Sequence, residues 1–275
     1  VPIDPAVAVG AALPSRDFTW GTSDVLLYHL AIGASGDALR YVYEQDLQVL
    51  PTFAMVIPSL RDTAPPDLKM PGIDIDLYQT LHGRQELVIH KPLPTSGAIT
   101  TTSKIVDVYD KGSSAVIVTS NECEYFTSRI SMFVRGEGGF GGSRGPSTAV
   151  PVPDRAPDEE ILTPTFESQA ALYRLLGDLN PLHIDPEFAA MAGFPKPILH
   201  GLCTYGLVCM AVVNRCLDGD VSRLLSYSTR FAGVVYPGET LRTRVWQTPE
   251  GLVLNTSVVE RDDAPALDNT LITHS

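Results

Sequence analysis

The run Ile198-Leu199-His200-Gly201-Leu202-Cys203-Thr204-Tyr205-Gly206-Leu207-Val208-Cys209-Met210-Ala211-Val212-Val213 has almost no polar face at a helical repeat. A helix from about 200 to 216 built on it needs apolar cover on every side. A curved antiparallel sheet wrapped around the helix is an economical way to supply that cover. The run is too short to span a bilayer and contains His200 and two glycines, so a buried core helix is the reading it supports.

The strands for such a sheet are present on both sides of the helix. Residues 81–89, 98–109, 114–121 and 125–135 are rich in β-branched and aromatic residues, punctuated by Pro92, Pro94, Gly97, Asp110 and Gly112. They predict an antiparallel meander. Residues 224–235, 240–248, 252–260 and a tail near Thr270 repeat it after the helix. Short helices are expected at 25–32, closed by Gly33, and at 50–58, closed by Pro58, in the first half. Their counterparts in the second half fall at 167–176 and 186–192. Lys91-Pro92-Leu93-Pro94-Thr95-Ser96-Gly97 and Tyr236-Pro237-Gly238-Glu239 each join two strands.

Helices followed by a meander therefore occur twice, which predicts a duplicated unit. The expected division is a first repeat at 1–145, a proline-rich acidic linker at 146–164 and a second repeat at 165–275. Residues 1–20 are expected to form an irregular leader, because Pro2, Pro5 and Pro14 bar a long helix. The fold class is α+β, a double hot-dog of two tandem antiparallel sheets each wrapped on a helix, with the long helix in the second half. The glycines of 136–145 read as a turn or linker. Gly138-Gly139-Phe140-Gly141-Gly142 lacks the Lys-Ser/Thr of a phosphate-binding loop and follows no βαβ unit.

Composition narrows the partners. A net charge of −12 opposes binding to nucleic acid or to an anionic membrane. An anionic small ligand stays open, because a few local cations suffice once distant charge is screened within about 10 Å. Cys123, Cys203, Cys209 and Cys216 have no metal-ligand spacing and read as free thiols. The first residues show neither a basic region nor an apolar signal core, and Thr273-His274-Ser275 is not a peroxisomal tripeptide. A cytoplasmic location is the expectation.

Chemistry concentrates in Tyr173-Arg174-Leu175-Leu176-Gly177-Asp178-Leu179-Asn180-Pro181-Leu182-His183-Ile184-Asp185-Pro186. Asp178 and His183 lie five positions apart, and Pro181 biases Asn180 towards an extended backbone, so a loop rather than one helix face must bring them together. A carboxylate and an imidazole so held can share one water for acid–base chemistry without a covalent intermediate. Asp-x-Asn-Pro is equally a common way to write a capped turn. Gly201, if it starts the long helix, presents an unpaired N–H to a developing oxyanion.

Residues 177–183, with Gly193-Phe194-Pro195-Lys196-Pro197-Ile198-Leu199-His200-Gly201-Leu202-Cys203-Thr204, resemble the signature of the MaoC-like hydratases. More narrowly they resemble the eukaryotic-type hydratase 2, an (R)-specific 2-enoyl-CoA hydratase. The resemblance implies that Asp178 and His183 are the catalytic pair, that Asn180 helps to hold the site, and that Gly201 donates its N–H to the thioester oxygen. It places His82, Gly83, Lys111, Leu179, Pro181, Leu182 and Phe231 against the coenzyme A thioester, with Glu44 and Tyr173 in support.

By the same resemblance the substrate is an enoyl-CoA from fatty-acid or sterol side-chain β-oxidation and the protein is a homodimer. No metal or redox cofactor is implied, coenzyme A being part of the substrate. The first half has no Asp-x-Asn-Pro-x-His segment, so only the second repeat is expected to be catalytic, leaving the first to accommodate the acyl group. An acyl-CoA thioesterase and a non-catalytic acyl-CoA binding protein are the alternatives. One departure from the family is the connection at 120–125, which has no glycine or proline where relatives usually carry a longer loop.

Overall fold

The β-branched runs form strands and the apolar run between the meanders forms the central helix. The computed structural model describes residues 2–60, 69–75 and 80–275. In the first half, α1 (Pro5–Ala8), β1 (Ala12–Trp20), α2 (Thr22–Ala31) and α3 (Leu39–Val42) precede β2 (Thr80–Ile89), β3 (Gly97–Asp110), β4 (Ser114–Glu122) and β5 (Phe126–Arg135). In the second, β6 (Glu159–Pro164), α4 (Gln169–Tyr173), α5 (Pro186–Met191) and α6 (Gly201–Cys216) precede β7 (Leu224–Phe231), β8 (Thr240–Thr248), β9 (Gly251–Val258) and β10 (Ala264–His274).

Among the described residues, ten strands lie in one antiparallel sheet of order β1-β3-β4-β5-β2-β7-β10-β9-β8-β6. Read outward from the centre, β2-β5-β4-β3-β1 and β7-β10-β9-β8-β6 are the same sequence of steps. The internal repeat thus returns as a topological one. The halves join where β2 pairs with β7, from Arg84 opposite Arg230 to Val88 opposite Ser226. The two expected sheets are therefore continuous, because the free edge of each meander is satisfied by the other.

The α6 helix is covered as its composition requires. Cys203 through Met210, Val212 and Val213 are all buried, and fully burying each large aliphatic side chain is worth roughly 1.5–3 kcal/mol. Tyr205 stacks on Tyr227 of β7 with ring centroids 3.9 Å apart, and its hydroxyl donates to the Tyr227 carbonyl at 2.9 Å. On another face, Gly206 lets Tyr28 and Ile32, from α2 and its C-cap, approach the helix. The main core spans both halves, while Ile3, Ala8, Met70, Ile73, Ile105 and Ile117 belong to a smaller one.

Several expectations need correction. Residues 1–20 are not an irregular leader: Asp4 caps α1, and 12–20 form edge strand β1 against β3. Pro14 bars a helix but not an edge strand, where it falls at the register break between Leu13 and Arg16. The last six residues of the linker, 159–164, form β6 on the opposite edge, with Glu160 held by Arg242 and Arg244. The helix expected at 50–58 is two 3-10 turns around Pro51 and Pro58, and the one at 167–176 becomes 3-10 after Tyr173. The connection at 120–125 is a tight turn closed by the Cys123 N–H on the Phe126 carbonyl at 3.0 Å.

Candidate active site

The Asp178–His183 loop is built by local rules. Gly177 ends the turn after α4 with φ +112°, and a Cβ there would stand 1.6 Å from the Ser59 carbonyl oxygen. Only glycine fits, and it turns the chain outward into Asp178. The Asp178 carboxylate then accepts the Asn180 N–H at 3.3 Å, and the Asn180 side chain accepts the Leu182 N–H at 3.0 Å. Pro181 opens a 3-10 turn over 181–183 that carries His183 inward. The capped-turn and catalytic readings of this motif are compatible, since the turn aims the side chains.

Ile198 fixes His183 from both directions. Its N–H donates to the Leu182 carbonyl at 3.3 Å, and its carbonyl lies 2.9 Å from His183 Nδ1. A carbonyl only accepts, so Nδ1 carries the proton and Nε2 keeps its lone pair. His183 is 9% exposed whereas Asp178 is exposed at the surface. Burial holds the imidazole below its ordinary value, opposed by the Asp178 charge and by the Ile198 hydrogen bond. A neutral imidazole with a free nitrogen behind an exposed carboxylate is a base poised to take a proton.

His200, the residue before α6, completes the cluster. Its ring stacks on His183 with centroids 3.7 Å apart and planes 26° from parallel, and its Nε2–H donates to the Asp178 carbonyl at 3.3 Å. Burial presses it down to about 2. One nitrogen from each imidazole and an Asp178 carboxylate oxygen lie within 4.8 Å of one another. The donor set does not suit a shared metal ion, because stacked rings cannot both aim an in-plane lone pair at one point. Tyr173 packs its ring 4.8 Å from that of His200, with its hydroxyl buried and unpartnered.

Gly201 is the first residue of α6, where backbone N–H groups have no partner within the helix. A Cβ there would meet the Phe231 ring at 3.1 Å, and Phe231 packs edge-on against His82 of β2 at 4.7 Å. Burial holds His82 down to about 4, and its Nε2 has no partner. Gly83 sits at the register break between His82 and Arg84, where an added Cβ would press the Ser131 carbonyl at 3.3 Å. First-half residues thus reach the second-half loop through the β2–β7 junction, in the order His82, Phe231, Gly201, His200, His183, Asp178.

Leu179, Pro181 and Leu182 lie in the loop itself. The structure does not join Lys111 or Glu44 to the cluster. Lys111 occupies the β3–β4 turn, its Nζ donating to the Arg144 carbonyl and lying 5.5 Å from the Tyr109 ring centroid. Glu44 is in the exposed turn after α3 and makes no hydrogen bond or ion pair among the described residues. Sequence reasoning passed over His200 as a site residue. Its place immediately before Gly201, at the mouth of a buried helix, was the available signal.

Comparison with known proteins shows the family of the chain. A family model described as a MaoC-like domain matches residues 148–266, and one described as the MFE-2 hydratase 2 N-terminal domain matches 18–136. An enoyl-CoA hydratase of Mycobacterium tuberculosis is 47% identical over 97% of this chain and 97% of its own. The crystal structure of a MaoC-like dehydratase from Phytophthora capsici superposes with a TM-score of 0.89 at 30% identity, covering 99% of this chain and 98% of that one. A Mycobacterium tuberculosis protein described as a double hot-dog matches in fold alone, at 12% identity and a TM-score of 0.57, over 98% of this chain and 96% of its own.

Proposed function

The chain belongs to the MaoC-like hydratase 2 family, and we propose that it adds water to trans-2-enoyl-CoA thioesters to give (3R)-3-hydroxyacyl-CoA. The observation that carries this reading is the His183 ring. Its Nδ1 proton is committed to the Ile198 carbonyl, which leaves Nε2 as a free base beside the Asp178 carboxylate.

Water held between Asp178 and His183 Nε2 loses a proton to Nε2 as its oxygen bonds to C3. The C2=C3 electron pair moves toward the thioester, whose oxygen gathers charge against the Gly201 N–H. The imidazolium then returns its proton to C2 and the carbonyl re-forms, so one water is gained and His183 ends neutral. Asp178 holds the water and balances the imidazolium, while Asn180 keeps the turn in shape. A positioned acid–base group contributes about 10²–10⁴ in rate and an oxyanion donor about 10²–10³. The packing of His82 against Phe231, and of Phe231 against Gly201, supports placing the thioester end of the substrate beside these residues.

The test is direct: the full chain incubated with a trans-2-enoyl-CoA, with the enoyl thioester absorbance followed and the product resolved by chirality. Loss of absorbance with a 3R product supports the reading. Release of free coenzyme A identifies a thioesterase instead, and binding without absorbance change identifies an acyl-CoA binding protein. Fatty and sterol side-chain acyl groups both belong to this proposal, and a panel of thioesters of increasing bulk distinguishes them. A cytoplasmic homodimer is part of the same proposal, supported by family membership for the dimer and tested by light scattering and cell fractionation. No helix among the described residues is long and apolar enough to cross a membrane.

A further inference from the structure

Resting on the hydratase reading above, we propose that His200 is a positioning residue that acts through His183 and Asp178: its neutral ring is the platform on which the His183 imidazole lies, and its Nε2–H fixes the backbone from which the Asp178 carboxylate projects. Three observations converge on it. The rings are stacked at 3.7 Å, the Asp178 carbonyl accepts from Nε2 at 3.3 Å, and His200 is 1% exposed at the very start of α6. Its remaining ring nitrogen, Nδ1, is buried and unpartnered. A buried histidine that served packing alone would be expected to satisfy both nitrogens, as His29 does on the Tyr41 carbonyl and the Leu50 N–H.

The chemistry follows from the order of protonation. When His183 takes the water proton, its imidazolium rests on a neutral aromatic face, which attracts a cation. His200 must stay neutral for this, and both burial and the neighbouring His183 charge oppose its protonation. The groups facing the pair are Asp178 from the same loop as His183, Tyr173 from α4, and Arg174 from the turn after it, whose charge also acts against a cationic His200. The same side chain thus links the base, the carboxylate backbone and the first turn of the helix that bears Gly201.

Two substitutions separate the two contacts. His200→Gln keeps an amide donor for the Asp178 carbonyl and removes the ring, whereas His200→Phe keeps the ring and removes the donor. With a trans-2-enoyl-CoA, each is expected to lower kcat by about tenfold or more, with KM within about threefold. In His200→Gln the acid limb of the pH profile moves to lower pH, and in His200→Phe it stays at the wild-type position. Folded variants with wild-type kcat and an unmoved acid limb overturn the proposal.

A second measurement needs neither variant nor turnover. Nitrogen NMR of the wild-type chain is expected to show His183 as the Nδ1–H tautomer and His200 as the Nε2–H tautomer, with His200 untitrated down to about pH 5. The opposite His200 tautomer, or a His200 that titrates above that pH, overturns the proposal even if the variants do not fold. Absence of hydration by the wild-type chain overturns the hydratase reading instead, and the tautomers still decide the placement of His200.

Discussion

Gly201 stands so close to Phe231 that a Cβ on the glycine would sit 3.1 Å from the ring. The first turn of α6 therefore presents a bare backbone donor and leaves little room for a side chain. Gly201→Ala is expected to lower kcat/KM by about tenfold or more, since one oxyanion donor is worth about 10²–10³. The same change is expected to alter thermal stability by about 1 kcal/mol or less, because the small shift it demands of Phe231 is partly offset by the better helix propensity of alanine. Activity and melting measured on one preparation check it; equal losses in both would place the effect in folding.

Gly177 gives the contrasting case. Its φ of +112° and the 1.6 Å approach to the Ser59 carbonyl leave no space for a side chain and no ordinary backbone conformation for one. Gly177→Ala is expected to cost at least about 1–3 kcal/mol of stability from backbone strain. It should also reduce turnover, because Asp178 is the next residue. Urea unfolding and initial rates test the pair of effects.

Stability should fall in mild acid. His29 and His82 are each held by burial to about 4, against 6.5 for a free imidazole. As pH drops below 6.5 the unfolded chain takes these protons while the folded chain does not, so unfolding gains. The loss reaches roughly 3 kcal/mol per imidazole by pH 4, and nothing comes from these groups above 6.5. Urea midpoints at pH 7 and pH 5 should differ accordingly, and His29→Gln should shrink the difference. Equal midpoints would contradict this assignment.

Asp110 organises the glycine-rich segment after β5. Its carboxylate accepts the N–H groups of Gly112 at 2.7 Å, Gly139 at 2.9 Å and Gly141 at 2.7 Å, which hold it down to about 2. Asp110→Asn removes the charge that these donors share. Hydrogen exchange at Gly139 and Gly141 is expected to accelerate by about tenfold, as charge-assisted hydrogen bonds are replaced by weaker ones. Unchanged exchange would show that the segment holds itself.

Much of this was legible before any coordinates, and the exceptions have physical causes. The strands announced themselves because β-branched residues cluster there, and α6 because no polar face interrupts it. β1 was hidden because Pro14 rules out a helix without ruling out an edge strand, and pairing with β3 joins segments far apart in sequence. β6 was hidden because Glu159 and Glu160 look like solvated linker until Arg215, Arg242 and Arg244 are folded beside them. The Asp178–Asn180–His183 motif carried its own turn chemistry. The part played by His200 did not show, since stacking depends on the Ile198 segment returning to the loop.

The central claim is that Asp178 and His183 act on one water. The measurement that reaches it most directly is kcat for Asp178→Asn and His183→Gln on a trans-2-enoyl-CoA, with unfolding curves of both. Loss of about 10² or more in each variant, with the fold retained, is the predicted result; loss of less than about tenfold in either would contradict a direct acid–base role.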